Sequence, residues 1–150
     1  MKTFLQPLQN LAEMEQIREQ AKDNRGVLAV SGCMESQKAH MIYGLSGLFP
    51  CHLIISEDER SAKQIYEDYR FYDKNVYYYP ARDLLFFQAD IHGNLLIRQR
   101  MQVIRALLTS EEITVVTRVD GCMDFLAPLE VIRKKLLYFR TDIQLDIDIL

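Results

Sequence analysis

The apolar positions of the chain change period several times, and each change marks a boundary between elements. Leu8, Leu11, Met14, Ile17 and Ala21 drift around one broad side of a helix predicted over residues 5–24, with Glu, Gln, Arg and Lys on the other side. Asn24-Arg25-Gly26 closes it. Gly26 to Val30 is a continuous apolar run, too short for a helix and rich in Val and Leu, which predicts a buried strand. Helical spacing returns with Ala39, Met41, Ile42, Leu45 and Leu48 and stops at Gly47 and Pro50. Cys51 to Ile55 reads as a second strand. Ser56 and Glu59 form an S-x-x-E capping box that predicts a helix start, and Ala62, Ile65, Tyr66, Tyr69 and Tyr72 share one face of the helix that follows.

Asn75 to Tyr79 predicts a third strand, ending at Pro80. Residues 81–93 show no clean period and read as a long connection of the kind that often carries function. Asn94 is a candidate cap for the next helix, whose apolar side is Leu96, Val103, Ile104, Leu107 and Leu108 and whose other side carries Arg98, Gln102 and Arg105. Ile113 to Thr117 is a fourth strand, followed by a turn at Asp120-Gly121 and a helical piece over 122–126. Strands and helices alternating at this rhythm imply βαβ units, hence an α/β fold of three layers: a mainly parallel sheet with helices on both faces. Beyond Pro128 a helix is expected over 129–135, a short strand over 136–139 and a turn at Thr141-Asp142. Residues 1–135 therefore read as one α/β unit and 136–150 as the start of a following one.

Candidate chemistry is concentrated in Ser31 to Ala39. A strand, a loop opening on Gly32 and a helix carrying Lys38 near its start is the layout of a phosphate-binding P-loop, and Gly32 and Lys38 stand at the right separation. The remaining residues are wrong for that task. Gln37 replaces the second glycine, and its Cβ opposes left-handed backbone geometry by about 1–2 kcal/mol. Ala39 replaces the Ser or Thr hydroxyl that holds magnesium. Lys38 retains only the ability to attract an anion as a point charge. The fourth strand ends in Thr117-Arg118, where a working ATPase has an acidic residue to position the metal. The loop is therefore a nucleotide site with its chemistry lost, and this segment is expected to be no enzyme and to need no cofactor.

Composition narrows the alternatives without choosing among them. Of 150 residues, 49% are hydrophobic and 26% charged, with a formal net charge of −3, values that exclude disorder and argue against a dedicated nucleic-acid-binding face. No apolar run approaches the ~20 residues needed to cross a bilayer, and residues 1–3 lead into an amphipathic helix, so a cytoplasmic location and no membrane partner are expected. Cys33, Cys51 and Cys122 form no C-x-x-C pair, and His40, His52 and His92 have no ligand spacing. Reduced, mostly buried thiols and no metal site are expected. Asp142, Asp146 and Asp148 lack the glycine and closing glutamate of a calcium loop and read as a solvated edge.

Five stretches together resemble the N-terminal region of the bacterial transcription-repair coupling factor family. They are Val30-Ser31-Gly32 through Ser36-Gln37-Lys38-Ala39-His40, Ile65 through Asp73, Tyr79-Pro80-Ala81-Arg82-Asp83, Gln88 through His92, and Asn94-Leu95-Leu96 through Arg100. The resemblance spans roughly residues 1–140. It implies the first subdomain of a UvrB-like module: a helicase-like α/β fold with an inactivated nucleotide site. It also implies membership of a DNA translocase that releases stalled RNA polymerase and recruits nucleotide excision repair. In that family the ATP- and magnesium-dependent motor and the polymerase- and DNA-binding parts lie elsewhere in the parent chain. UvrA is recruited mainly through the following subdomain, so no partner-binding residue is carried over to this chain. Two other readings stand beside it: a live P-loop enzyme resting on Lys38, and a free-standing nucleic-acid-binding module using Arg98, Arg100 and Arg105.

Overall fold

The computed structural model describes residues 4–23, 26–81 and 90–135, the side chains of 90–94 excepted. In chain order its elements are α1 (Gln6–Gln9), α2 (Ala12–Lys22), α3 (Glu35–Leu45) with a 3-10 turn at Ser46–Leu48, β1 (Cys51–Ser56), α4 (Glu59–Tyr69), β2 (Val76–Tyr79), α5 (Asp90–Thr109), β3 (Ile113–Arg118), α6 (Val119–Met123) and α7 (Leu129–Lys135). The three strands form one parallel sheet in the order β1-β3-β2. The fold is therefore α/β, with β3 in the centre and its register pinned on both sides: Val115 lies opposite Leu53 of β1 and Tyr77 of β2.

Strand alternation sends β3 into two cores. Val116 packs with Val76, Ala39, Ala62 and Tyr69 beneath α3 and α4. Ile113 and Val115 turn the other way, against Val103 and Ala106 of α5. β3 is apolar on both faces because both faces are covered, as a central parallel strand requires. Ile65 and Tyr66 pack against the first core, as the face of α4 predicts, and Tyr72 joins them from the turn after the helix, which ends at Tyr69.

Four local expectations are corrected. The predicted strand over 26–30 is not part of the sheet: the segment has no regular secondary structure and is exposed, and Val27 is 100% accessible. An apolar run reports a preference for burial but does not name a partner, and none of the described strands bonds to it. The helix expected over 5–24 is two helices, because Leu11 is extended at φ −91° and ψ 118° and interrupts it. Pro7 fits the first turn of the shorter one, where a missing N–H costs nothing. Ser56 does not cap α4. It ends β1, and Asp58 takes the cap, its Oδ1 accepting the Ser61 N–H at 2.7 Å. The turn expected at Asp120-Gly121 lies inside α6.

The long connection, the strand over 136–139, the aspartates beyond it and the proposed boundary at 135/136 lie wholly or largely outside the described residues. The cysteines are free, but Cys51 and Cys122 are exposed and Cys33 is half-buried, so the expectation of buried thiols fails. Cys51 is exposed because, among the described residues, β1 is an edge strand with no helix over that side of it.

Candidate functional site

The loop from Ser31 to Ala39 leads into α3, and its geometry is that of a helix entry. Gly32 has φ +82°, the left-handed region a glycine favours, and a Cβ added there would meet nothing within 4 Å. No wall of protein stands around the loop at this point. Met34 is the N-cap residue; its N–H donates to Gln37 Oε1 at 3.4 Å. Gln37, where a P-loop has glycine, therefore serves the helix start, satisfying one of the amide donors that an α-helix leaves unpaired.

Lys38 and Ala39 are equally committed. Lys38 Nζ lies 2.5 Å from Glu35 Oε1 within the same helical turn. The hydrogen bond to Glu35 holds the ammonium pKa above its usual value, with the carboxylate charge adding to the effect. Lys38 thus meets a built-in anion in the place where a P-loop lysine meets a phosphate. Ala39 is 2% exposed and belongs to the core with Ala62, Tyr69 and Val116. Its side chain does not look toward a metal; it lets α3 approach α4 and the sheet. The four residues do not fit a magnesium nucleotide, and among the described residues no three or more acidic, histidine or cysteine side chains are grouped as metal ligands would be.

The second set of candidates lies in another layer. Arg98 and Arg105 are exposed on α5, across the sheet from α3, and the fold does not bring them to the loop. Arg100, grouped with them by sequence, is only 5% exposed. Its Nη1 donates to the Pro80 carbonyl at 2.9 Å and to Asp124 Oδ2 at 2.6 Å, and its guanidinium lies over the Tyr79 ring at 4.2 Å. A cation so enclosed cannot contact a phosphate backbone. It ties α5, the end of β2 and the α6–α7 junction together. Sequence missed this role because Asp124 is distant in the chain and helical spacing alone does not reveal a partner.

A second polar group unforeseen from sequence occupies the carboxyl edge of the sheet, the side on which open α/β folds bind ligands. Arg118, last in β3, places Nε 3.3 Å from Asp120 Oδ2 and Nη1 3.8 Å from Glu59 Oε2. Lys63 Nζ lies 2.5 Å from Glu59 Oε1. Glu59, Lys63 and Arg118 border a cleft of about 270 Å³ with Tyr78, Pro80 and Gln99. Each of the two cations already has a carboxylate beside it, Lys63 that of Glu59 and Arg118 that of Asp120, which stands outside the lining. Beside it, the Thr117 hydroxyl donates to the Tyr79 carbonyl at 2.8 Å, an approach left open because Gly121 has no Cβ to collide with that hydroxyl.

Compared with models of protein families, with curated proteins and with solved structures, the chain matches none. Among the described residues no helix is long and apolar enough to cross a membrane.

Proposed function

We propose that this chain is a non-catalytic α/β module of a transcription-repair coupling factor, with a helicase-like, UvrB-like frame whose nucleotide loop has been turned over to structure. The observation that carries the non-catalytic half of this reading is the pairing of Lys38 with Glu35, together with the burial of Ala39. The Glu35 carboxylate competes with any phosphate for Lys38, and Ala39 has no oxygen to offer a metal. The coupling-factor half rests on the five stretches of sequence resemblance. In this reading ATP and magnesium serve the parent protein's motor, UvrA is engaged chiefly through the following subdomain, and the chain works in the cytoplasm on DNA and RNA polymerase only through the parent.

Two experiments test the two halves. Titration of the chain with a fluorescent ATP analogue and magnesium is expected to give no saturable binding in the micromolar range. Tight binding abolished by Lys38→Ala would establish the active-enzyme reading instead. Cells in which the gene for this chain is disrupted are expected to lose the preferential repair of lesions on transcribed strands. Unchanged strand preference would remove the coupling-factor reading. A nucleic-acid-binding module is disfavoured by the enclosure of Arg100, and salt-dependent duplex binding weakened by Arg98→Ala and Arg105→Ala would revive it.

A further inference from the structure

Among the described residues the sheet is unfinished on one side, and an apolar segment of the chain lies outside it. Ile113 donates its N–H to the Pro50 carbonyl at 2.9 Å, and the register continues in step to Ser56 and Arg118. Because a strand's backbone groups point alternately to its two sides, His52 and Ile54 bond inward to β3. Cys51, Leu53 and Ile55 direct their N–H and C=O groups to the open edge. The same three residues share the sheet face of Ile113, Val115 and Thr117, the α5 side, but lie beyond β2 and β3, against which α5 packs, with Leu53 58% and Ile55 52% exposed. Parallel sheets are ordinarily covered on both faces, and natural free edges carry a lysine, a proline or a bulge. Between Cys51 and Ser56 there is none of these.

The handedness of the connections identifies what belongs there. From β1 the chain crosses through α4 to β2, and from β2 through α5 on the opposite face back to β3. Both crossovers have one hand, which strand twist makes right-handed. α3 lies on the same face as α4, since Ala39, Ile42 and Tyr43 share its core. A parallel strand that feeds α3 must therefore step toward β1 in the direction in which β1 steps toward β2. That places it beyond β1, on the free edge. The segment feeding α3 is residues 26–30. Val27, Leu28, Ala29 and Val30 are apolar on both sides, the composition of a strand with two covered faces. All are exposed, and residues 31–50 provide ample crossover.

We propose that residues 26–30 are a strap that docks as a fourth parallel strand along β1, pairing with the outward backbone groups of Cys51, Leu53 and Ile55. Docking covers apolar surface on the strap and on β1 together, and it draws the Gly32–Lys38 loop to the carboxyl edge of the sheet. The inference rests on topology and exposure, and it holds or fails independently of the proposed function.

Amide hydrogen exchange on the native chain tests it, with Val27→Lys and Val30→Lys as variants at exposed positions. A strap docked about nine-tenths of the time slows the Leu53 and Ile55 amides about 10-fold relative to both variants. The Thr114 amide, bonded to the Asn75 carbonyl inside the ladder, should stay equally slow in all three and so report an intact fold. Contacts between the methyl groups of Val27 or Val30 and those of Leu53 or Ile55 in nuclear Overhauser spectra of the native chain are the second expected result and require no variant. Unslowed Leu53 and Ile55 amides, or the absence of those methyl contacts, would overturn the proposal. Protection that grows with protein concentration would overturn it in favour of a second copy pairing at the same edge.

Discussion

Lys38 and Arg100 are both helix cations paired with a carboxylate, and their surroundings separate an exposed local pair from a structural joint. Lys38 is bound to a residue three positions away, on the exposed side of the first turn of α3. Arg100 is bound to a residue twenty-four positions away, beneath an aromatic ring, with a backbone carbonyl filling another of its donors. An exposed local pair contributes little to stability, whereas removing one partner of an enclosed pair leaves a desolvated charge. The chain concentrates its polar geometry at the α5–α6 joint and leaves the nucleotide-like loop with only what a helix start requires.

The contrast is sharpest in stability. Arg100→Ala strands Asp124 and the Pro80 carbonyl in a largely dry site, and chemical denaturation is expected to show a loss of about 3–5 kcal/mol. A loss under about 1 kcal/mol, the level of an exposed pair, would erase the distinction. Ala39→Thr restores the hydroxyl that a P-loop would use for magnesium. At a position within the core it is expected to destabilise by about 1–3 kcal/mol for want of a hydrogen-bond partner. It should yield no ATP turnover, alone or with Gln37→Gly, since Arg118 stands where the metal-positioning acid is needed. Measurable turnover in the double variant would show that the loop is closer to function than its packing implies.

A smaller effect is expected at His52, on β1. Burial lowers its pKa from the ordinary 6.5, against the opposing pull of Asp73 and Glu112, and its Nε2 has no hydrogen-bond partner among the described residues. The folded state therefore favours the neutral ring. Its contribution to stability is full above about 6.5 and is lost as the pH falls below that value, because the unfolded chain then takes up the proton more readily. The melting temperature should fall between about pH 7 and pH 5, and fall less in His52→Phe. Identical pH profiles for the two proteins would remove His52 as the cause. The smallest effect is at Lys38, where Lys38→Ala should leave thermal stability within error of the native chain, a clear loss indicating a structural role for the exposed pair.

Much of the fold was legible because periodicity reports burial. The two-faced apolar run of β3, the aromatic face of α4 and the alternation of strands and helices all follow from residues whose burial the structure bears out. What periodicity could not supply is the identity of a partner. The run at 26–30 has the composition of a strand and no strand beside it, and Arg100 has the helical spacing of a solvated residue and lies in a dry joint. Gln37 and Ala39 stood out as the wrong residues for a phosphate cradle, and the structure gives each a different occupation, one at the helix start and one in the core. Glu35 was the piece not foreseen, although its position three residues before Lys38 is the helical spacing at which opposite charges meet.

The most direct test of the central claim is to follow the backbone amides of Gly32 through Ala39 by NMR while magnesium and ATP are added to millimolar excess. A loop given over to starting a helix predicts that these amides do not move together. Concerted, saturable shifts of the Gly32–Lys38 amides, lost in Lys38→Ala, would show phosphates bound in the loop and would contradict it.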